Sequence, residues 1–131
     1  MASYQQPSHR ASGLRILLVE DDVMVALLIE DMLAELGHEI VGPATRLGKA
    51  TELAQHEALD AAILDVNING QEVYPVAELL AARSIPFIFC TGYGRGSLRE
   101  PYRDRPALQK PFRQRDLQEL VATVCRARHS S

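Results

Sequence analysis

The chain has 131 residues, 47% of them hydrophobic and 24% charged, enough for one domain whose core needs no disulfide or structural metal. No apolar run reaches the roughly 18 residues of a membrane span, and the N-terminus lacks a secretory apolar core. A formal net charge of −3 argues against general affinity for nucleic acid. That average conceals an asymmetry: residues 14–90 hold four basic and thirteen acidic side chains, residues 91–131 nine basic and four acidic. Two electrostatically distinct faces are expected. Cys90 and Cys125 stand in apolar surroundings without CxxC spacing. Neither a zinc site nor a disulfide framework is indicated, and a cytoplasmic location is expected.

Residues 1–13 are polar, show no apolar periodicity and read as a disordered tail. From Leu14 onward, short aliphatic runs alternate with helical stretches. LRILLVE at 14–20 reads as the first strand, followed by a helix over 23–36 that Asp22 caps and Gly37 ends. HEIVG at 38–42 is the second strand, and Thr45 is expected to cap a helix over 46–57. LDAAILD at 59–65 is the third, and Pro75 suits the first turn of a helix over 75–83. PFIFC at 86–90 and PALQK at 106–110 complete five strands. Between them, TGYGRGSLREPYRDRP carries three glycines and two prolines, which oppose a stable helix. In the last helix, 114–127, Leu117, Leu120, Val121 and Val124 form a core stripe, and 128–131 read as a tail. The pattern predicts an α/β domain whose parallel sheet is covered on both faces.

In the first helix, Val25, Leu28, Ile29, Met32 and Leu36 form the expected core stripe. Leu27 lies nearly opposite it, with Val23 and Met24 off its edges. Such exposure is either incidental or a docking surface for a partner helix. The four histidines form no cluster and are expected at the surface. Gly92, Gly94 and Gly96 read as a flexible loop, because no helix start follows at the offset a phosphate cradle needs.

Polar groups gather where the predicted strands end: Glu20, Asp21 and Asp22 after the first, Asp65 after the third, Thr91 after the fourth and Lys110 after the fifth. Open α/β sheets build their sites at these ends. Like charges ~5 Å apart at an effective dielectric of ~20 repel by roughly 3 kcal/mol. Something must offset that, and oxygen-only ligands select a hard cation such as Mg2+. A lysine ammonium and a threonine hydroxyl are the groups wanted around a phosphoryl oxygen. An aspartate beside such a cation is a competent nucleophile toward phosphorus. Phosphoryl transfer onto Asp65 is the chemistry that fits.

VEDD at 19–22, LDVNING at 64–70, CTG at 90–92 and KPF at 110–112 resemble, in order and spacing, the receiver domain of two-component response regulators. The resemblance covers 14–127. It implies a flavodoxin-like doubly wound sheet, strand order 2-1-3-4-5, with five helices, the fourth of them here short or irregular. It further implies that Asp65 is the phosphoacceptor, and that Glu20, Asp21, Asp65 and the Asn67 backbone carbonyl surround Mg2+. Thr91 would be the switch hydroxyl and Lys110 the phosphate-sensing lysine, followed by Pro111 across a cis bond. Ala107 stands where the family usually has Tyr or Phe. Tyr93 then either supplies the missing aromatic signal or simply packs on its loop.

FCTGYG at 89–94 resembles the signature of the FAT GUY receivers, a subgroup associated with alphaproteobacteria and with HWE-type and related histidine kinases. Cys90 replaces that motif's Ala, and Tyr93 follows Gly92 directly. The segment 92–105 is expected to order when Thr91 is drawn to a phosphoryl group.

The resulting expectation is a single-domain response regulator with self-catalysed phosphotransfer and autodephosphorylation, not a turnover enzyme. Its partners would be a histidine kinase, meeting Val23, Met24 and Leu27, and a downstream protein on the basic 91–131 side. No output domain is expected, since the chain ends just past the last helix. A phosphorylation-independent pseudo-receiver and a receiver excised from a hybrid kinase are the alternatives. A phosphatase would need a general acid two residues after Asp65, which Asn67 cannot be. A nucleic-acid binder would need a recognition motif that is missing.

Overall fold

The computed structural model describes residues 13–92 and 98–130, with side chains described as far as Val124. The aliphatic runs form β1 (Arg15–Val19), β2 (Glu39–Ala44), β3 (Ala61–Asp65), β4 (Phe87–Thr91) and β5 (Ala107–Gln109). They pair in parallel in the order β2-β1-β3-β4-β5. Every residue of β3 and β4 is buried, because helices cover both faces of the sheet. On one face Leu17, Val19, Leu64, Phe87 and Phe89 pack against Ala50 and Ala54 of α2 (Leu47–His56) and Val76, Ala77 and Leu80 of α3 (Tyr74–Ala82). On the other, Ile16, Leu18, Ile63 and Ile88 meet Ala26, Ile29 and Leu33 of α1, which spans Val23–Glu35. Leu117, Val121 and Val124 of α4 (Gln114–Ser130) complete that layer. The parallel sheet covered on both faces is therefore as the residue pattern predicts, and its order 2-1-3-4-5 is as the resemblance implies.

Local signals explain both ends of α1 and the start of α3. The Asp22 carboxylate accepts the N–H groups of Met24 (2.9 Å) and Val25 (3.2 Å), capping α1. Gly37, at φ +89°, ends that helix. Pro75 sits in the first turn of α3. Thr45 does not cap α2: the helix begins after Arg46 with no side-chain cap. α4 continues to Ser130, past the expected boundary at 127.

Four further expectations change. The described residues contain four helices, not five. Residues 98–106 form turns, closed by the N–H of Tyr102 on the Arg99 carbonyl (2.7 Å) and of Arg105 on that of Tyr102 (3.0 Å). Leu98 and Tyr102 are buried there. The Tyr102 ring stacks on Tyr74, centroids 5.5 Å apart, and meets Phe87 and Phe89 edge-on. The 98–105 part of the segment expected to order on phosphorylation is thus already packed, and 93–97 lie outside the described residues.

The stripe of α1 is also rotated. Its buried residues are Ala26, Ile29 and Leu33, with Val25 and Met32 packed against that core, while Leu28 is 51% exposed. Finally, His38 is half-buried: its Nδ1 accepts the Leu14 N–H at 3.1 Å.

Candidate functional site

Parallel strands place their C-terminal ends side by side, and the chain leaves each end with a polar residue. Glu20 and Asp21 follow β1, Asp65 ends β3, Thr91 ends β4 and Lys110 follows β5. Carboxylate oxygens of Glu20, Asp21 and Asp65 lie within 4.8 Å of one another. Glu20 is 1% exposed and Asp65 8%. The Lys110 ammonium bridges the two, at 3.1 Å from Glu20 Oε1 and 3.3 Å from Asp65 Oδ2. Its backbone is held by the Lys110 N–H on the Thr91 carbonyl (2.9 Å), and the Lys110–Pro111 peptide is cis. Thr91 itself is buried.

Backbone donors fix the acidic side. The Asp22 N–H donates to Glu20 Oε2 (3.1 Å), the Asn67 N–H to Asp65 Oδ1 (3.3 Å) and the Asn69 N–H to Asp21 Oδ2 (2.7 Å). Asn67 and Asn69 belong to a small antiparallel hairpin, Asn67–Ile68 with Gln71–Glu72. Its two turn residues, Asn69 (φ +52°) and Gly70 (φ +82°), both have positive φ, as the tightest hairpin turns require. Sequence reasoning did not single out Asn69. The Asn-Gly dipeptide was the available signal, since it marks such turns.

Burial pushes the Glu20 carboxyl up to about 7, helped by its hydrogen bond with Asp65 and by the Asp65 charge. Burial alone would lower the Lys110 ammonium, but the charges of Asp65 and Glu20 outweigh it and the net shift is upward. Burial likewise pushes the Cys90 thiol up to about 12, so it is no nucleophile. Three carboxylates against one ammonium leave a net negative site. The all-oxygen donor set suits a hard divalent cation, and Mg2+ fits it.

The remaining expected site residues fall as follows. Val23 (65%), Met24 (74%) and Leu27 (50%) are exposed on α1, beside the acidic cluster in sequence, and Leu28 joins them. Asn67 is exposed at the rim, with its side-chain oxygen accepting the Gly70 N–H at 2.9 Å. Tyr93 lies outside the described residues. Among those residues no helix is long and apolar enough to cross a membrane.

Comparison with known proteins bears on this constellation. A family model described as the response regulator receiver domain matches residues 16–122. The transcriptional regulatory protein PdtaR of Mycobacterium tuberculosis is 35% identical over 107 residues, covering 79% of this chain and 52% of PdtaR. The chain thus spans about half the length of that curated relative. The solution structure of SdrG from Sphingomonas melonis matches with a TM-score of 0.78 and 41% identity, over 86% of this chain and 97% of that one. SdrG in its BeF3-activated conformation matches at 0.73 and 43%, over 85% and 95%. The receiver domain of the sensor histidine kinase PA1611 from Pseudomonas aeruginosa, which has magnesium coordinated in its active-site cleft, matches at 0.73 and 25%, over 86% and 98%.

Proposed function

The chain belongs to the response regulator receiver domain family, and on that premise we propose that Asp65 accepts a phosphoryl group from a histidine kinase. The observation that carries this is the Lys110 ammonium bridging Asp65 and Glu20 at the mouth of an all-oxygen acidic cluster. In the step itself, an Asp65 carboxylate oxygen attacks phosphorus. The new O–P bond forms as the donor's N–P bond breaks, and the electron pair leaves on the imidazole nitrogen, which takes a proton. Lys110 balances the charge on the phosphoryl oxygens, and the Thr91 hydroxyl is the second donor toward them. Glu20, Asp21 and Asp65, with the Asn67 carbonyl, would hold Mg2+, which supplies neutralisation of that oxygen charge. The Asn67 N–H keeps one Asp65 oxygen engaged, so the carboxylate presents a fixed face. The chain then acts as a self-catalysing phosphoacceptor and not as a turnover enzyme.

The exposed quartet Val23, Met24, Leu27 and Leu28 supports docking of a kinase helix next to the site. FCTGYG supports placement among the FAT GUY receivers, with kinases of the HWE and related types. Signalling would follow from altered protein contacts on the β4–β5 side, with Thr91 and Tyr93 as the switch residues. The test is intact mass after incubation with acetyl phosphate and Mg2+. One added phosphoryl group, absent in Asp65→Asn and in metal-free buffer, is the expected result. A folded protein that binds Mg2+ yet gains no mass from acetyl phosphate or from a cognate kinase would make it a phosphorylation-independent interaction module.

A further inference from the structure

We propose that Asn69 is a positioning residue for the metal site: it sets the Asp21 carboxylate and ties that setting to the loop after β2. This rests on the reading of Asp21 as a Mg2+ ligand. Asp21 is the least buried of the three clustered acids, and its only hydrogen-bond partner among the described residues is the Asn69 N–H, at 2.7 Å on Oδ2. Glu20 and Asp65 are held differently, each by the Lys110 ammonium and a nearby backbone N–H. Asp21 therefore depends on one donor, 48 residues away in sequence.

That donor is itself anchored. The Asn69 side-chain Nδ2 donates to the Thr45 carbonyl at 2.9 Å, so the hairpin tip is pinned to the β2–α2 connection. The positive φ of Asn69 turns the tip, a conformation Asn tolerates better than most side chains. With Oδ2 committed, Asp21 has Oδ1 left for a cation, and its carboxylate need not be ordered when the cation arrives. Hydrogen bonds that orient metal ligands in this way commonly change affinity by about 10- to 100-fold when lost. The hydrogen bonds of Asn69 run to Asp21 and to Thr45, so it acts on the metal side of the site.

The test is Asn69→Gly in the full chain, because Gly keeps the N–H and accepts the positive φ while removing the Thr45 anchor. Mg2+ affinity is read by titration followed by amide NMR, and Asp65 labelling by acetyl phosphate is followed against Mg2+ concentration. The expected result is Mg2+ binding weaker by about tenfold, with the labelling rate restored at saturating Mg2+. An unchanged Mg2+ affinity in the folded variant would overturn the proposal while leaving the phosphoacceptor reading intact. Wild-type protein that neither binds Mg2+ nor becomes labelled would overturn both. If the variant does not fold, wild-type amide exchange decides. Protection of the Asn69 N–H without metal supports the proposal, and exchange at the rate of an unstructured peptide refutes it.

Discussion

The acidic cluster makes Asp65→Asn a substitution whose effect on the metal-free fold should become more favourable as pH rises. Glu20 is raised from 4.5 to about 7, which corresponds to about 3 kcal/mol. The folded state therefore holds a proton that the unfolded chain releases between those values. The stability linked to it is fully present below pH 4.5 and lost as pH rises through about 7. Burial is the largest cause and survives the substitution, whereas the hydrogen bond and the charge of Asp65 are the next two causes and do not. Removing them should recover about 1–2 kcal/mol of that loss. The forfeited Lys110–Asp65 pair carries a stability cost of its own, so the reading rests on the change between two pH values and not on either value alone.

The assay is urea unfolding of both proteins in EDTA at about pH 5 and about pH 8.5. The stability of Asp65→Asn relative to wild type should rise by about 1–2 kcal/mol between the two conditions. Stability curves that run parallel with pH would refute the coupling between Glu20 and Asp65. Saturating Mg2+ should then favour the wild type, because a cation that binds only the folded state stabilises in proportion to the logarithm of its occupancy.

Lys110→Met removes the counter-charge of two buried carboxylates. It should destabilise the metal-free protein by about 2 kcal/mol at alkaline pH in urea unfolding, and by less in acid, where Glu20 is protonated. Tyr102→Ala deletes a ring packed on Tyr74, Phe87 and Phe89 and should cost about 3 kcal/mol. Tyr102→Phe keeps the ring and should stay within about 1 kcal/mol by thermal melting. Leu27→Glu lies on the exposed face of α1. It should leave stability and acetyl phosphate labelling unchanged while slowing transfer from a cognate kinase in a phosphotransfer assay. Burial lowers the His38 imidazole below 6.5, so the unfolded chain binds more protons there and stability should fall as pH drops below 6.5. His38→Asn, which retains an acceptor for the Leu14 N–H, should flatten that part of the pH profile in the same unfolding experiment.

What the sequence made legible follows from how parallel sheets are built. β3 and β4 are buried on both faces, so AAIL and FIFC appear as uninterrupted apolar runs that end abruptly on Asp65 and Thr91. Those abrupt ends name the site. The helices were harder, because phase must be read from periodicity. Residues 23–29, VMVALLI, are apolar all the way round two turns, so nothing in them distinguishes a stripe through Leu28 from one through Ala26 and Leu33. The Thr45 cap failed for a tertiary reason: its carbonyl accepts the Asn69 side chain, and the helix starts one residue later. His38 was missed because its role depends on the backbone N–H of Leu14, and Asn69 because its own backbone N–H serves the distant Asp21; the Asn-Gly turn could be read from residue types, but its long-range partner could not.

The site is asymmetric in a way that constrains how it could signal. On the acidic side each carboxylate has an oxygen engaged by a fixed backbone N–H, so Glu20, Asp21 and Asp65 have little freedom to respond to a new charge. On the opposite side the recognising groups are a lysine side chain and a hydroxyl, joined by the Lys110 N–H on the Thr91 carbonyl. Under the proposed function, a phosphoryl group on Asp65 would therefore move the β4–β5 side and leave the metal side in place. That side continues into residues 98–106, whose Tyr102 stacks on Tyr74 of α3 and whose Arg99 pairs with Glu72 of the hairpin at 3.0 Å. Residues 98–106 thus have two physical attachments to the segment after Asp65, whereas Ala107 offers no ring on β5.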